Sequence, residues 1–403
     1  MGRSTVRLGV GALGLPVAAL LAAGVPWAQS AGAARSAKQP VDGLIAVEGP
    51  MTGAQSTTGI DMANGAQIAI DQINAAGGVD GVKLSLLKLD DKATAAGGIA
   101  AEHRAVTAHA FGVVGPFNSS VGVANLSLYR KAGLPIVRLT SSVKTEGFGV
   151  TTQPMDSQVA PVEIKEITQV LHAARPAIVY DTSTYTAGIA NQVKAGLTKA
   201  GDPVVAMVPV TSTQTNFNKA LQKVKGAHPG LLYISAYGAE AGAIAKAGYA
   251  VNTSAAGGTT GSCFVDLAAQ GAAFGAAATQ QVASSCVSSG VPSAQQFAGA
   301  SQYVADYQSM FHTSPGTWGT FTYDSVEVLA NAVKQAGWHQ AAVGTAMDHT
   351  TGYQGVTGPI TIAPSTGNRV QSTVVILDVN DAGSYVIDPK WAAATGFPFP
   401  SAG

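Results

Sequence analysis

Between residues 41 and 142 the chain alternates short apolar segments with amphipathic ones, and this order constrains the fold more than any other feature. Apolar residues spaced three and four positions apart predict a single apolar helix face, formed by Ala66, Ala69, Ile70 and Ile73. Apolar segments that predict strands lie at residues 44–47, 84–89, 111–114 and 134–137. Strands alternating with helices indicate a parallel, doubly wound sheet, in which small ligands bind beyond the carboxyl ends of the strands.

A second series of the same kind follows, with strands predicted at residues 177–180, 204–208 and 231–235. At 403 residues the chain exceeds the roughly 250 to 300 residues at which a single core usually divides, so two lobes are expected. Its apolar fraction of 46% argues against disorder. Asp324 and Glu327 have the spacing of a capping box, which predicts that a late helix begins near Asp324.

Charge and motifs exclude several classes of function. The formal net charge is zero and the chain has no basic stripe, so nucleic acid is not an expected partner. The turn after the first strand, GPMTG, lacks the dinucleotide-binding spacing, and the P-loop, the nucleophile elbow and the H-E-x-x-H motif are missing. We therefore predict no enzyme, no cofactor and no metal site. Asp90 and Asp91, adjacent at the end of the second strand, are predicted to cap the following turn.

The beginning of the chain has the pattern of a secretory signal peptide. Arg3 and Arg7 precede an apolar run at residues 8–25, and small residues follow around residues 30–34. We predict a signal peptide at residues 1–33, with a cut after Ser30 as the alternative to one after Ala33. An uncleaved membrane anchor is the less favoured alternative, because the run is barely long enough to span a bilayer.

Cys263 and Cys286 are the only cysteines. An even pair in an exported protein predicts a disulfide, with two buried free thiols as the alternative. We expect the two residues at the ends of neighbouring strands, around residues 261–264 and 281–285, where the bond would brace one wall of a cleft.

The order of five short motifs carries a family resemblance. They are VDGLIAVEGPMTG, NGAQIAIDQINAAGG, LSLLKLDD, FGVVGPFNSS and LPIVRLTSS. This series resembles the branched-chain amino-acid binding proteins, the type I periplasmic solute receptors of ABC importers. The resemblance implies an α/β fold of two doubly wound parallel-sheet lobes joined by a three-segment hinge. It places lobe 1 at residues 42–160 and 290–356, and lobe 2 at residues 161–289 and 357–396.

The resemblance also implies a function. The chain would be an exported, monomeric receptor that captures a small carboxylate-bearing ligand, an amino acid or a related acid, and delivers it to an ABC permease. Many members of the family are lipoproteins, but Gly24 stands where the lipid-bearing cysteine would follow the apolar run, so no lipid anchor is expected. A ligand-sensing subunit that signals to a regulator is the alternative, and an enzyme that uses the cleft is a distant third.

In the family, hydroxyl groups after the third and fourth strands hold the ligand carboxylate. The matching residues here are Ser119, Thr140, Ser141 and Ser142. A hydroxyl can donate to a carboxylate, and a helix that begins near Ser120 would add its positive end. The alternative is that these residues bind no ligand and simply cap helices.

Lobe 2 is expected to supply Tyr185 and Tyr237, which match tyrosines that cover the ligand in the family. Two departures leave the ligand open. Thr58 stands where the family has a bulky residue, and Phe264 stands where the family has the acid that pairs with the ligand ammonium. Asp266 would supply that charge for an amino acid, since a buried ammonium needs a paired carboxylate, whereas Phe264 would suit an amine-free carboxylate.

Overall fold

A computed structural model describes residues 43–250, 263–379 and 385–395 of the chain. The predicted signal peptide and the position of Gly24 lie outside the described residues. Within the described part of the chain, no helix is both long and apolar enough to cross a membrane.

The elements alternate along the chain as the sequence predicts. The strands are β1 Gly43–Gly49, β2 Leu84–Asp90, β3 Gly112–Val114, β4 Ile136–Val137, β5 Pro176–Asp181, β6 Ala206–Val210, β7 Leu231–Ser235, β8 Cys263–Val265, β9 Cys286–Gly290, β10 Tyr353–Gly355, β11 Gly358–Ile360, β12 Ile362–Ala363, β13 Asn368–Arg369, β14 Val375–Val379 and β15 Tyr385–Ile387. The α-helices are α1 Ser56–Ala75, α2 Ala95–Thr107, α3 Ser119–Lys131, α4 Asp156–Lys165, α5 Thr184–Lys199, α6 Asn218–Gly226, α7 Gly238–Ala250, α8 Ala272–Ala278, α9 Gln280–Ala283, α10 Ser301–Phe311, α11 Trp318–Ala336, α12 Gln340–Asp348 and α13 Pro389–Thr395.

These strands form two main sheets. The first has the order β2-β1-β3-β4, with all neighbours parallel. The second has the order β15-β14-β9-β8-β7-β5-β6, in which β14 runs antiparallel to β9 and the strands from β9 to β6 are parallel. Both sheets reverse their strand order beside a central strand, β1 in one and β5 in the other. The predicted α/β class with two doubly wound sheets is confirmed.

The predicted apolar face of α1 is buried, and α1 packs closely against α11. The close approach occurs at Gly65, where a Cβ atom would overlap the carbonyl group of Gly319. Glycine is needed there because the two helix backbones touch. This contact fixes the beginning of α11, and therefore Trp318, relative to the first sheet.

The capping-box prediction at Asp324 is wrong. Helix α11 begins at Trp318, so Asp324 lies in its interior. The carboxylate accepts hydrogen bonds from the N–H groups of Val356 and Thr357, which belong to a distant segment. Asp324 is therefore held by a tertiary contact, and its spacing to Glu327 does not mark the start of a helix.

The disulfide prediction is confirmed, but its predicted surroundings are partly wrong. Cys263 and Cys286 are bonded and lie directly opposite each other in the register of β8 and β9. The segment before Cys286 contains the short helix α9 and no strand. Each cysteine begins its strand, whereas ligands of such sheets bind at the carboxyl ends. The bond therefore joins the amino ends of β8 and β9, which lie at the end of the sheet away from the cleft, and does not brace a cleft wall.

Glu166 is expected to make stability depend on pH. It is fully buried, and among the described residues neither carboxyl oxygen has a hydrogen-bond partner. Burial, and then Asp388 and Asp378, raise its pKa to about 8. An unfolded glutamate titrates near pH 4.3, so the folded protein holds the proton more tightly and loses stability as the pH rises toward 8.

Glu166→Gln should therefore stabilise the protein at pH 9 by about 3 to 5 kcal/mol, and by only about 1 kcal/mol at pH 5, where Glu166 is neutral in the folded state but largely ionised in the unfolded chain. Urea unfolding at both pH values measures this. Equal effects of the substitution at the two pH values would show that the Glu166 carboxyl does not titrate as described.

Candidate functional site

Two cavities that share walls lie beyond the carboxyl ends of the parallel strands in both sheets. The inner cavity, of about 260 Å³ including space open to solvent, is lined by Phe117, Ser119, Ser141, Gln153, Tyr185, Tyr237, Leu267, Ala268 and Trp318. The outer cavity, of about 680 Å³ including space open to solvent, shares Phe117, Tyr237, Ala268 and Trp318 with it. The loops after β3, β5, β7 and β8 supply most of these residues, as expected for doubly wound sheets.

Aromatic side chains from the loops that follow β3 and β7, and from the beginning of α11, form much of the cavity wall. The ring centroids of Phe117 and Trp318 are 5.1 Å apart, and those of Phe117 and Tyr237 are 6.4 Å apart. Trp318 also lies 5.8 Å from Phe321 within α11, which holds its ring in place. These faces suit an apolar group on a ligand, because large rings offer wide contact with few rotatable bonds.

Ser119 places a hydroxyl at the amino end of α3. It is buried, and its Oγ accepts a hydrogen bond from the Ser142 N–H at 3.2 Å, which leaves the hydroxyl proton available to a ligand. The preceding residue, Asn118, makes no side-chain cap. The first N–H groups of a helix lack intrahelical acceptors and favour negative charge, so this corner of the cavity can hold a carboxylate.

The other predicted hydroxyl residues are divided between the cavity and its support. Ser141 lines the inner cavity, whereas Thr140 and Ser142 line neither cavity. The Thr140 hydroxyl donates to Thr145 Oγ1 at 2.7 Å, and Ser142 caps the short 3-10 turn Val143–Thr145. Thr140 and Ser142 therefore fold the loop that presents Ser141.

Tyr185 and Tyr237 both line the inner cavity. Tyr185 lies in the first turn of α5 and is only 4% exposed, and its hydroxyl has no partner among the described residues. Burial, then the carboxyls of Asp266 and Glu163, raise the pKa of Tyr185, so it stays protonated at any physiological pH. The Tyr237 hydroxyl is within hydrogen-bond reach of Asn118, which follows the first sheet.

A direct hydrogen bond also joins the two sides of the cleft. The Thr184 N–H, at the beginning of α5, donates to Ser120 Oγ in α3 at 2.9 Å. Together with the contact of Phe117 and Tyr237, this bond holds the helices that follow the two sheets in a closed arrangement.

Phe264 and Asp266 do not line either cavity. Phe264 is fully buried and stacks on Tyr233, at 5.6 Å between ring centroids, inside the second sheet. The Asp266 carboxylate accepts from the Ala268 N–H at 2.8 Å and from the Ser235 hydroxyl. Asp266 therefore holds the turn Leu267–Ala269, and it is Leu267 and Ala268 that reach the cavity.

Thr58, in the first turn of α1, lines the outer cavity. Of the described residues that line the two cavities, none is Lys or Arg, and Glu240 in the outer cavity is the only carboxylic acid. Burial, and then Asp181, raise the pKa of Glu240 to about 8. No group of three or more His, Cys, Asp or Glu side chains in the described part of the chain is arranged to hold a metal ion.

Asp90 and Asp91 have the structural role that the sequence predicts. Asp90 accepts hydrogen bonds from the N–H groups of Met51 and Lys92, and Asp91 accepts one from the Ala93 N–H. Both carboxylates therefore shape the loops that follow β1 and β2.

Sequence reasoning missed Phe117, Gln153, Trp318, Leu267 and Ala268 as cavity residues. Phe117 lies in a strand-end loop directly before Ser119, so its position was a usable signal. Trp318 arrives from a helix far along the chain, and no local pattern marks it.

The sequence of this chain is similar to those of known proteins. The family model described as periplasmic binding protein matches residues 44–384. An amino acid binding protein of Pseudomonas aeruginosa is 31% identical over 211 residues, which are 51% of this chain and 56% of that protein. The chain spans about half the length of the curated relatives it matches.

Two solved structures share the fold. A leucine binding protein from Thermotoga maritima superimposes with a TM-score of 0.79 at 22% identity, covering 86% of this chain and 98% of that one. A branched-chain amino acid transporter substrate binding protein from Streptococcus pneumoniae, in complex with isoleucine, gives 0.74 at 24% identity, covering 85% and 97%.

Proposed function

This chain belongs to the periplasmic binding protein family, and from that premise we propose that it is an exported receptor which captures a small carboxylate-bearing ligand and passes it to an ABC importer. The family is one of solute-binding proteins and not of enzymes, in agreement with the motif analysis. The amino-acid-binding names of the relatives support an amino acid or a related acid as the ligand.

The observation that carries the proposal is the inner cavity. Its polar corner, Ser119 at the amino end of α3, suits a carboxylate without any cationic side chain. Its walls of Phe117, Tyr237 and Trp318 suit an apolar body. A small molecule with one carboxylate and one apolar group matches both.

Capture would proceed by closure of two lobes. The proposed lobes are residues 42–160 with 290–356, and 161–289 with 357–396, joined by a three-segment hinge. Ligand held first by lobe 1 at Ser119 would favour closure, because Tyr185 and Tyr237 of lobe 2 contact it only in the closed form. The closed form would present both lobes together to the permease, and that difference would couple capture to transport.

The proposal includes the route of the protein. The signal peptide would direct it across the cytoplasmic membrane, where it would act as a monomer without a lipid anchor, in the periplasm or outside the membrane. The permease would be its protein partner.

Ser119→Ala should weaken binding of the ligand by about 10-fold to 100-fold, because a hydrogen bond to a charged group contributes about 1.5 to 3 kcal/mol. Titration calorimetry of the purified protein measures the change. Ser127→Ala, on an exposed position of the same helix, is the matched control and should bind as the parent does. Equal affinity of the Ser119 variant and the parent would show that the ligand carboxylate does not bind at Ser119.

The ligand itself can be identified by native mass spectrometry of the purified protein, followed by denaturation and analysis of the released small molecule. A carboxylic acid supports the proposal. A released compound without a carboxylate would contradict it. If nothing is retained, a thermal-shift panel of amino and carboxylic acids tests the same point, and the absence of any shift would count against it.

A further inference from the structure

Gln153 is a buried polar side chain that lines the inner cavity. It follows β4, is 1% exposed, and lies among the residues that surround the space beside Ser141 and Tyr185. The sequence pattern gave it no role. Its hydrogen bonds to the protein fix the orientation of the side-chain amide.

The orientation of the Gln153 amide is fixed by its partners. Nε2 donates to the carbonyl oxygen of Leu139 at 2.6 Å and to Ser141 Oγ at 2.9 Å. The reverse orientation would set two acceptor oxygens against each other at Leu139, because a carbonyl oxygen has no proton to donate. The amide nitrogen therefore faces the loop, and Oε1 is the atom left over.

Gln153 Oε1 is buried and has no hydrogen-bond partner among the described residues. Leaving a buried acceptor unpaired costs about 1 to 3 kcal/mol. The Tyr185 hydroxyl, in the same cavity lining, is also buried without a described partner, and it can either donate or accept. Water can satisfy both groups before the ligand enters, but a ligand that displaces this water has to supply the missing donor.

We propose that Gln153 is a specificity-determining residue, whose Oε1 accepts a hydrogen bond from an N–H or O–H group carried by the ligand near its carboxylate. This inference rests on the proposed function, because it takes the carboxylate at Ser119 as given. The ligand class is then an α-amino or α-hydroxy acid, and a bare carboxylate of the same shape is rejected. The rejection follows because the bare acid would leave Oε1 buried and unpaired.

The carboxyl groups around this corner of the cavity are compatible with both members of this class. No Asp or Glu lines the inner cavity, but the carboxyls of Asp266, Glu163 and Asp156 lie close enough to Tyr185 to act on its hydroxyl. Burial raises the pKa of all three, to about 8 for Glu163 and to about 7 for Asp266, so at neutral pH Glu163 is mostly protonated and Asp266 about half protonated, and they do not select an ammonium over a hydroxyl.

The test uses two matched series that differ only at the donor. One contains leucine, 2-hydroxy-4-methylpentanoate and 4-methylpentanoate, and the other contains phenylalanine, 3-phenyllactate and 3-phenylpropanoate. Calorimetry on the parent protein should show at least tenfold tighter binding of the amino and hydroxy acids than of the bare acid in the series that fits. Gln153→Met should weaken the donor-bearing ligands at least tenfold and change the bare acid less than threefold. The exposed Gln302→Met is the matched control and should leave every affinity unchanged.

Preferential binding of the bare acid by the parent, or a preference unchanged in Gln153→Met, would overturn the role of Gln153 and leave carboxylate capture standing. Binding of no member of either series would count against the proposed function and the inference with it. The preference of the parent protein decides the question even if the variant does not fold.

Discussion

Replacing Tyr237 with alanine is expected to weaken ligand binding by about 100-fold or more. Tyr237 lines both cavities and contacts Phe117 across the cleft, so its ring forms part of the wall on which a ligand would pack. Aromatic residues at the centre of a binding site commonly contribute 2 kcal/mol or more, and the lost contact between the lobes adds to this. Calorimetry with the ligand identified by mass spectrometry measures the effect.

Tyr237→Phe separates the ring from the hydroxyl. It keeps the apolar face and loses only the hydroxyl, which is within hydrogen-bond reach of Asn118 and Ser183, so its affinity should fall less than tenfold. The unfolding midpoint of both variants should stay close to that of the parent, because Tyr237 is only half-buried. An alanine variant that binds as tightly as the parent would place the ligand outside these cavities.

The first sheet could be predicted from sequence because its signals are local. The segment predicted at residues 44–47 is the centre of β1, and the predicted face of α1 is buried. Ser119 was indicated by the family resemblance, because the local pattern alone predicts only a helix cap, and the structure places it at the junction of β3 and α3 beside the inner cavity.

The rest of the site depends on which way residues face and on distant contacts. Phe264 lies on β8, and its neighbour on β7, Tyr233, decides that its ring is stacked inside the sheet. Asp266 is turned inward by the hydroxyl of Ser235 on β7. Trp318 reaches the cavity only because Gly65 and Gly319 allow α1 and α11 to touch. None of these contacts leaves a pattern in the local sequence.

Asp324 is the opposite case. The sequence around it has a local pattern, the capping-box spacing, but the helix start that this pattern predicts is wrong. Its carboxylate is fully buried in the interior of α11 and accepts from the N–H groups of Val356 and Thr357 and from the Thr357 hydroxyl. Arg369, also buried, donates to the carbonyl oxygen and the hydroxyl of Thr357. Helix α11 and the segment that leads into β11 are thus tied through one carboxylate and one guanidinium.

Asp324→Ala is accordingly expected to lower the free energy of unfolding by about 3 to 5 kcal/mol. The substitution leaves the buried Thr357 N–H and the part-buried Val356 N–H unpaired and the Arg369 guanidinium without its nearby counter-charge, and each loss is costly. Asp324→Asn keeps one acceptor oxygen and should lose less, whereas Asp71→Ala, on the exposed side of α1, should stay within about 0.5 kcal/mol of the parent. Urea unfolding of the three variants measures these differences. A loss below about 1 kcal/mol in Asp324→Ala would mean that water replaces the carboxylate, and that the segment around Thr357 is held by Arg369 alone.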